Sequence, residues 1–83
     1  MSDLPVQAAA PTAATLTDYD RRHVKTYLRM LDAVADGVDW REAAALLLGL
    51  DVAADPEKAR ATYDSHLARA RWLSARGYRD FLR

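Results

Sequence analysis

The most chemically suggestive stretch of this sequence is DSHLARARW, residues 64 to 72, which opens with an acid, a hydroxyl and an imidazole in succession. Asp64, Ser65 and His66 are the residue types of a hydrolytic triad. Successive residues of a helix point about 100° apart, so three neighbours on one helix cannot converge on a single atom. The stretch therefore indicates the faces of a helix rather than an active site.

The sequence also lacks the usual signals of a metal site or of another kind of active site. The chain has no cysteine, and its two histidines are far apart, outside any metal-ligand spacing. It has no catalytic nucleophile motif and no phosphate-binding loop. We therefore predict a protein that is not an enzyme and has no metal or cofactor. His66 lies close to an apolar stripe, which favours a packed, hydrogen-bonded core histidine.

Composition indicates one small domain. The chain has 83 residues, of which 51% are hydrophobic, and twelve basic residues balance twelve acidic ones. Residues 1–16, rich in Ala and Pro, lack the basic start of a signal peptide and are broken by Pro5 and Pro11, so we expect neither a signal peptide nor a membrane span. We expect them to form a disordered leader of a cytoplasmic protein, followed by a domain over residues 17–83.

The domain itself is predicted to be all-α, because apolar residues recur at three- and four-residue steps. The predicted helices run from a cap at Thr17 to Gly37, from a cap at Asp39 to Gly49, and from a cap at Asp55 to Gly77. Residues 50–55 form a turn that is longer than in a standard helix-turn-helix. A last helical turn, docked by Tyr78 and Phe81, completes a small three-helix domain of extended-turn helix-turn-helix type.

Charge is unevenly distributed along this domain. Residues 36–57 carry a single base and six acids, namely Asp36, Asp39, Glu42, Asp51, Asp55 and Glu57. Residues 58–83 carry seven bases and two acids. In a helix-turn-helix the acidic part would confront DNA phosphates, which favour basic side chains and bare helix N-termini. The distribution predicts a helix-turn-helix scaffold that does not bind DNA.

A DNA-binding alternative remains open at this point. Lys58, Arg60 and Thr62 are in position to touch a DNA backbone, with further arginines beyond them. The neighbouring Ala61, Asp64 and Ser65 are poor residues for reading base edges. The alternative prediction is a small helix-turn-helix repressor that binds DNA.

Three segments, DWREAA, DSHLARARW and GYRDFLR, carry a family resemblance that spans residues 20–83. The sequence resembles a proteobacterial domain family, long of unknown function, that is carried on integrative and conjugative elements. The resemblance implies antiactivators of the QseM type, or the C-terminal, DNA-binding half of excision activators such as FseA. With only a leader ahead of the first helix, it favours a solitary antiactivator under quorum-sensing control.

This resemblance implies a protein partner, the N-terminal domain of an FseA-like activator, with a quorum-sensing regulator as a second candidate. We expect a monomer that binds neither nucleic acid nor membrane. Arginine and aromatic side chains are the usual anchors of an interface. The expected partner-binding residues are Arg69, Arg71, Trp72, Tyr78, Phe81 and Leu82, supplemented by Tyr19, His23 and Tyr27 of the first helix.

Overall fold

The computed structural model describes residues 6–77, with side chains up to Ala75. This part of the chain forms four α-helices and a final π-helical segment, and it contains no strand. The elements are α1 Asp18–Arg22, α2 Val24–Ala35, α3 Trp40–Leu48, α4 Pro56–Trp72 and the π-helical segment Leu73–Gly77. Helices α2, α3 and α4 each pack against the other two. The predicted all-α class is confirmed, and no helix of residues 6–77 is long and apolar enough to cross a membrane.

Local sequence signals account for the helix starts. Thr17 and Asp20 form a capping box, in which each side chain bonds the backbone N–H of the other residue. Asp39 caps α3 and Asp55 caps α4, where Pro56 takes the first helical position. All three predicted caps are confirmed, and they fix where α1, α3 and α4 begin.

The predicted helix ends at two glycines are also confirmed. Gly37 has φ of 75° and Gly49 has φ of 67°, in the left-handed region where a side chain is disfavoured. Beyond Gly49, the N–H of Leu50 donates to the carbonyl of Ala44 over 3.2 Å, which closes the end of α3. The chain then reaches α4 through the predicted extended turn.

Two predicted helices differ from the observed ones. The first is broken at His23, whose φ of −112° and ψ of 15° are not helical. The break accompanies burial of the His23 ring, which lies 4.2 Å from the ring of Tyr19, centroid to centroid. The third changes from α-helix to π-helix after Trp72. The predicted last turn with Tyr78 and Phe81 lies outside the described residues.

Two groups of buried side chains form the core. The first lies between α2, α3 and α4 and comprises Met30, Ala43, Ala44, Leu48, Tyr63 and Leu67. The second joins α1 and α2 to the end of α4 and comprises Tyr19, Tyr27, Ala70 and Leu73. Because α4 contributes to both groups, it is the helix that holds the domain together, and its remaining face is left for solvent or a ligand.

Residues 6–16 differ from the prediction of a disordered leader. They form neither helix nor strand, but they lie against the helices. Ala10 is buried, and its N–H donates to Oγ of Ser65 on α4 over 2.8 Å. The N–H of Gln7 donates to the hydroxyl of Tyr19 over 3.0 Å. This segment is therefore part of the folded domain.

Candidate nucleic-acid interface

One face of α4 is exposed along the whole helix. Its residues follow one another at three- and four-residue steps and are Glu57, Ala61, Asp64, Ala68 and Arg71. The two alanines carry only a methyl group, so another molecule can approach the helix backbone closely at these positions. The exposed face of α4 is long enough, at about 1.5 Å per residue, to lie along a groove.

Beside this face, α3 and α4 meet at a tryptophan that lies against two arginines. The guanidinium carbon of Arg60 is 5.0 Å from the centroid of the Trp40 ring, and that of Arg41 is 5.2 Å from it. Tyr63 supports the tryptophan from the core side, with ring centroids 6.0 Å apart. Cations within about 6 Å of an aromatic ring are attracted to it. We call Trp40, Arg41 and Arg60 the Trp40 cluster.

The sequence alone does not reveal the Trp40 cluster, because Trp40 fits the apolar periodicity of α3 and Arg41 stands out only as the single base of residues 36–57. Trp40 is in fact half-buried. The available signal was a Trp-Arg pair at the start of one helix and an arginine in the second turn of the next. These residues indicate a cluster only if α3 is known to pack against α4.

The two arginines of the Trp40 cluster also form exposed ion pairs. Arg60 Nε lies 3.0 Å from Asp64 Oδ1, and Arg41 Nη1 lies 3.6 Å from Asp39 Oδ1. About half or more of each of these side chains is exposed. Exposed ion pairs contribute about 0 to 1 kcal/mol, so either arginine can exchange its carboxylate for another acceptor at small cost.

The six acidic residues of the predicted DNA-opposing face do not form one uniform surface. Asp39, Asp51 and Asp55 each accept a backbone N–H over 3.0 to 3.2 Å. The positive end of a helix partly offsets the charge of the two that cap helices. All six acids are exposed, so the difference between them lies in their hydrogen bonds and not in their accessibility. The net charge of this segment therefore overstates the repulsion that DNA would meet.

Arg69, an expected partner-binding residue, is not exposed. It is 5% exposed, and its Nη2 lies 2.6 Å from Oδ2 of Asp20, which is fully buried. Its other donors bond Oδ1 of Asp20 and the carbonyls of Ala13 and Thr15. An arginine held in this way is a structural residue and cannot serve as an exposed anchor for a partner.

The electrostatics of this pair follow from its geometry. Burial alone would raise the pKa of Asp20, but hydrogen bonds and charge from Arg69, with further bonds from Thr17 and Tyr27, lower the pKa overall. The hydrogen bonds that Arg69 donates to Asp20 raise the pKa of Arg69. Both groups are therefore charged at neutral pH, and the buried pair ties α4 to α1.

His66 is the predicted core histidine. It is fully buried, and its Nδ1 lies 2.8 Å from the carbonyl of Thr62. A carbonyl can only accept, so Nδ1 carries the proton, and Nε2 accepts from the hydroxyl of Tyr19 over 2.6 Å. Asp64 and Ser65 contact other partners, Arg60 and Ala10. No group of three potential metal ligands occurs among the side chains described.

The remaining residues of the expected partner surface are dispersed. Arg71 is exposed, and Trp72 is half-buried under the guanidinium of Arg69, whose central carbon is 4.1 Å from the ring centroid. Three further candidates, Tyr78, Phe81 and Leu82, lie outside the described residues. Those proposed on the first helix, Tyr19, His23 and Tyr27, are buried and unavailable to a partner. Thr62, a predicted backbone contact, is buried as well.

A second group of basic side chains lies on the first two helices. It consists of Arg21, Arg22, Lys25 and Arg29, all of which are exposed. The sequence predicts these residues on polar helix faces, and the structure agrees. They lie away from the Trp40 cluster in the chain and on different helices, so they provide matched positions for control substitutions.

Comparison with known families changes the functional interpretation. Residues 2–83 match the family described as "T6SS, Transcription factor, DNA binding domain" (RovC_DNA-bd). No curated protein matches the chain. The predicted membership of a QseM-type antiactivator family is therefore wrong, as are the antiactivator function and the expectation that no nucleic acid is bound. Because the match covers nearly the whole sequence, the chain belongs to the RovC_DNA-bd family of transcription-factor DNA-binding domains.

Proposed function

We propose that this domain binds double-stranded DNA, with the exposed face of α4 in the major groove. The observation that carries the proposal is the family match over residues 2–83. The proposal includes a cytoplasmic location, where the protein has access to DNA, and a regulatory rather than enzymatic role. The structure supports it through the arrangement of α3, the extended turn and α4, which is the order of elements in a helix-turn-helix.

The shape of α4 suits a groove. The major groove, about 12 Å wide, admits an α-helix with its side chains. Ala61 and Ala68 on the exposed face leave room for close approach, and an alanine methyl group can contact the methyl group of thymine. Since α2 and α3 pack on the other sides of α4, they hold the helix in place without covering this face.

Basic side chains flank the exposed face and are placed to meet phosphates. Lys58 lies in the first turn of α4, Arg41 lies in the first turn of α3, and Arg71 lies near the far end of α4. Each lysine or arginine that neutralises a phosphate releases counterions, so affinity falls as salt increases. The exposed acids on the same side weaken this attraction, and we therefore expect binding that depends strongly on low ionic strength.

The chain offers a matched pair of lysines to test which surface meets DNA. Lys58 on α4 and Lys25 on α2 are both exposed helical residues. We expect Lys58→Ala to weaken binding and to reduce the slope of log K against log salt by about 0.9, the value for one lost phosphate contact. Lys25→Ala should leave both quantities unchanged.

The measurement is fluorescence anisotropy of labelled duplexes titrated with protein over a range of salt concentrations. A pool of randomised duplexes is the suitable probe, because binding to phosphates does not depend on sequence. Failure of the unmodified protein to bind any duplex at about 50 mM salt would overturn the proposal. An effect of Lys25→Ala equal to that of Lys58→Ala would contradict the assignment of the surface.

A further inference from the structure

Arg60 is restrained far more than an exposed arginine normally is. Its guanidinium carbon lies 5.0 Å from the centroid of the Trp40 ring and 6.0 Å from that of Tyr63. Its Nε also contacts both carboxylate oxygens of Asp64, at 3.0 and 3.1 Å. Holding an arginine side chain in one geometry normally costs rotamer entropy, and here the protein has already ordered it.

The contacts of Arg60 leave one edge of its guanidinium group for a ligand. The stacking contact uses the face of the group, and both contacts with Asp64 use Nε. Among the described residues, no protein acceptor bonds the two terminal nitrogens of Arg60. Two parallel N–H donors on one planar edge match the O6 and N7 acceptors of guanine, the commonest specific contact in the major groove.

The neighbouring carboxylate favours a base over a phosphate as the ligand. Asp64 lies one turn after Arg60 on α4 and next to its guanidinium, where its negative charge would repel a phosphate. A carboxylate can instead accept from the N4 amino group of cytosine, which pairs with guanine. Asp64, which looks unsuitable for base reading when it is considered alone, is suitable as the partner of this arginine.

We infer that Arg60, positioned by Trp40 and Asp64, recognises a guanine of a G·C pair in the major groove. The inference rests on the proposed DNA binding and deepens it, because it assigns sequence preference to one side chain. Arg41 stacks on the same ring but lies on α3, outside the helix proposed to enter the groove, so guanine recognition is assigned to Arg60 alone.

The test is selection of bound sequences from a randomised duplex pool, followed by affinity measurements on the selected duplex and on single base-pair changes. In Arg60→Lys the positive charge remains, but the planar pair of donors is lost. We expect discrimination at one guanine to fall by roughly five- to a hundred-fold, while the salt dependence stays unchanged. Arg41→Lys is the matched control, and it should keep the preference.

A second variant tests the role of the aromatic ring. Trp40→Leu removes the stacking surface but leaves Arg60 and Asp64, so guanine discrimination should fall several-fold without a change in the salt slope. Circular dichroism on each variant establishes that it is folded. Guanine preference that persists in folded Arg60→Lys would overturn the inference while leaving DNA binding intact. If the unmodified protein binds no duplex, the proposed function fails and the inference falls with it.

Discussion

Replacing Arg69 with methionine is expected to lower the free energy of unfolding by about 3–5 kcal/mol, because it leaves a buried carboxylate without its charged partner. Asp20 is fully buried and receives two hydrogen bonds from Arg69. Methionine fills a similar volume, so the loss reflects electrostatics and hydrogen bonding rather than a cavity. Domains of this size have a total stability of about 5 kcal/mol, so the variant should be close to unfolded at room temperature.

The measurement is urea denaturation at pH 7, followed by circular dichroism. Arg71→Met is the matched control, since Arg71 lies on the same helix but is exposed, and its replacement should change stability by no more than about 0.5 kcal/mol. Equal stability of the two variants would show that the buried pair is not important for folding.

A double variant separates the ion pair from the other bonds of Arg69. Replacing a buried pair as a whole with apolar residues is often neutral or stabilising. Asp20→Leu combined with Arg69→Met should therefore be more stable than Arg69→Met alone. Recovery should be incomplete, because Asp20 also caps α1 through Thr17 and Arg69 also bonds two carbonyls of the N-terminal segment. No recovery would indicate that those bonds carry most of the energy.

The second large effect is expected on acidification from pH 6.5 towards pH 5. Burial lowers the pKa of both His23 and His66, and in the case of His23 the charges of His66 and Arg22 lower it further. The unfolded chain then binds more protons than the native state once the pH falls below the unfolded value of about 6.5. The stabilising contribution of the two histidines is therefore fully present above about pH 6.5. It decreases as the pH falls towards their native pKa values.

Each histidine contributes a slope of at most about 1.4 kcal/mol per pH unit, so the two together give up to about 2.7 kcal/mol per unit. The lowered pKa of Asp20 affects stability only at lower pH. The stabilisation that the ionised Asp20 contributes is lost only as the pH falls below about 4 and through its native pKa. Between pH 5 and pH 6.5 the change in stability therefore reports the histidines.

Urea denaturation at half-unit steps of pH measures this slope. In His66→Gln one titrating group is absent, so the slope in this range should fall to about half that of the unmodified protein. The variant will also be less stable at pH 7, which makes the slope the informative quantity. Stability that is flat from pH 7 to pH 5 would contradict the burial of both histidines in neutral form.

Those parts of the fold that depend on neighbours in the sequence could be predicted. Thr17, Asp39 and Asp55 cap helices because each bonds a backbone N–H within three residues, and Gly49 ends a helix for an equally local reason. Helical periodicity likewise placed His66 in the core. These are interactions over one turn, and sequence spacing determines them.

The contacts that could not be predicted join distant parts of the chain. Asp20 belongs to the local capping box of Thr17, but its partner Arg69 is 49 residues away, near the polar end of α4. Because Arg69 is buried, the basic segment over residues 58–83 presents one positive charge fewer to solvent than its sequence suggests. The Trp40 cluster is another long-range feature, since Arg41 and Arg60 meet only where α3 packs on α4.

The functional prediction failed because charge was counted along the sequence rather than over a surface. Asp39, Asp51 and Asp55 carry full charges, but each bonds backbone N–H groups that a helix or turn would otherwise expose. An acid that caps a helix or closes a turn is compatible with bound DNA when an arginine lies next to that acid. In this domain Asp39 and Asp64 both have such an arginine within 4 Å.

The segment ahead of α1 determines how anything joined to it would be oriented. Ala10 is bonded to Ser65, and the carbonyls of Ala13 and Thr15 are held by Arg69, so the segment is attached to α4 at three points. A group joined to this segment would consequently be positioned by α4 as well as by α1. Tension on that end would first load Tyr19 of α1 through Gln7 and then α4 through Ala10, so a pull on the N-terminal side would reach the helix proposed to lie in the groove.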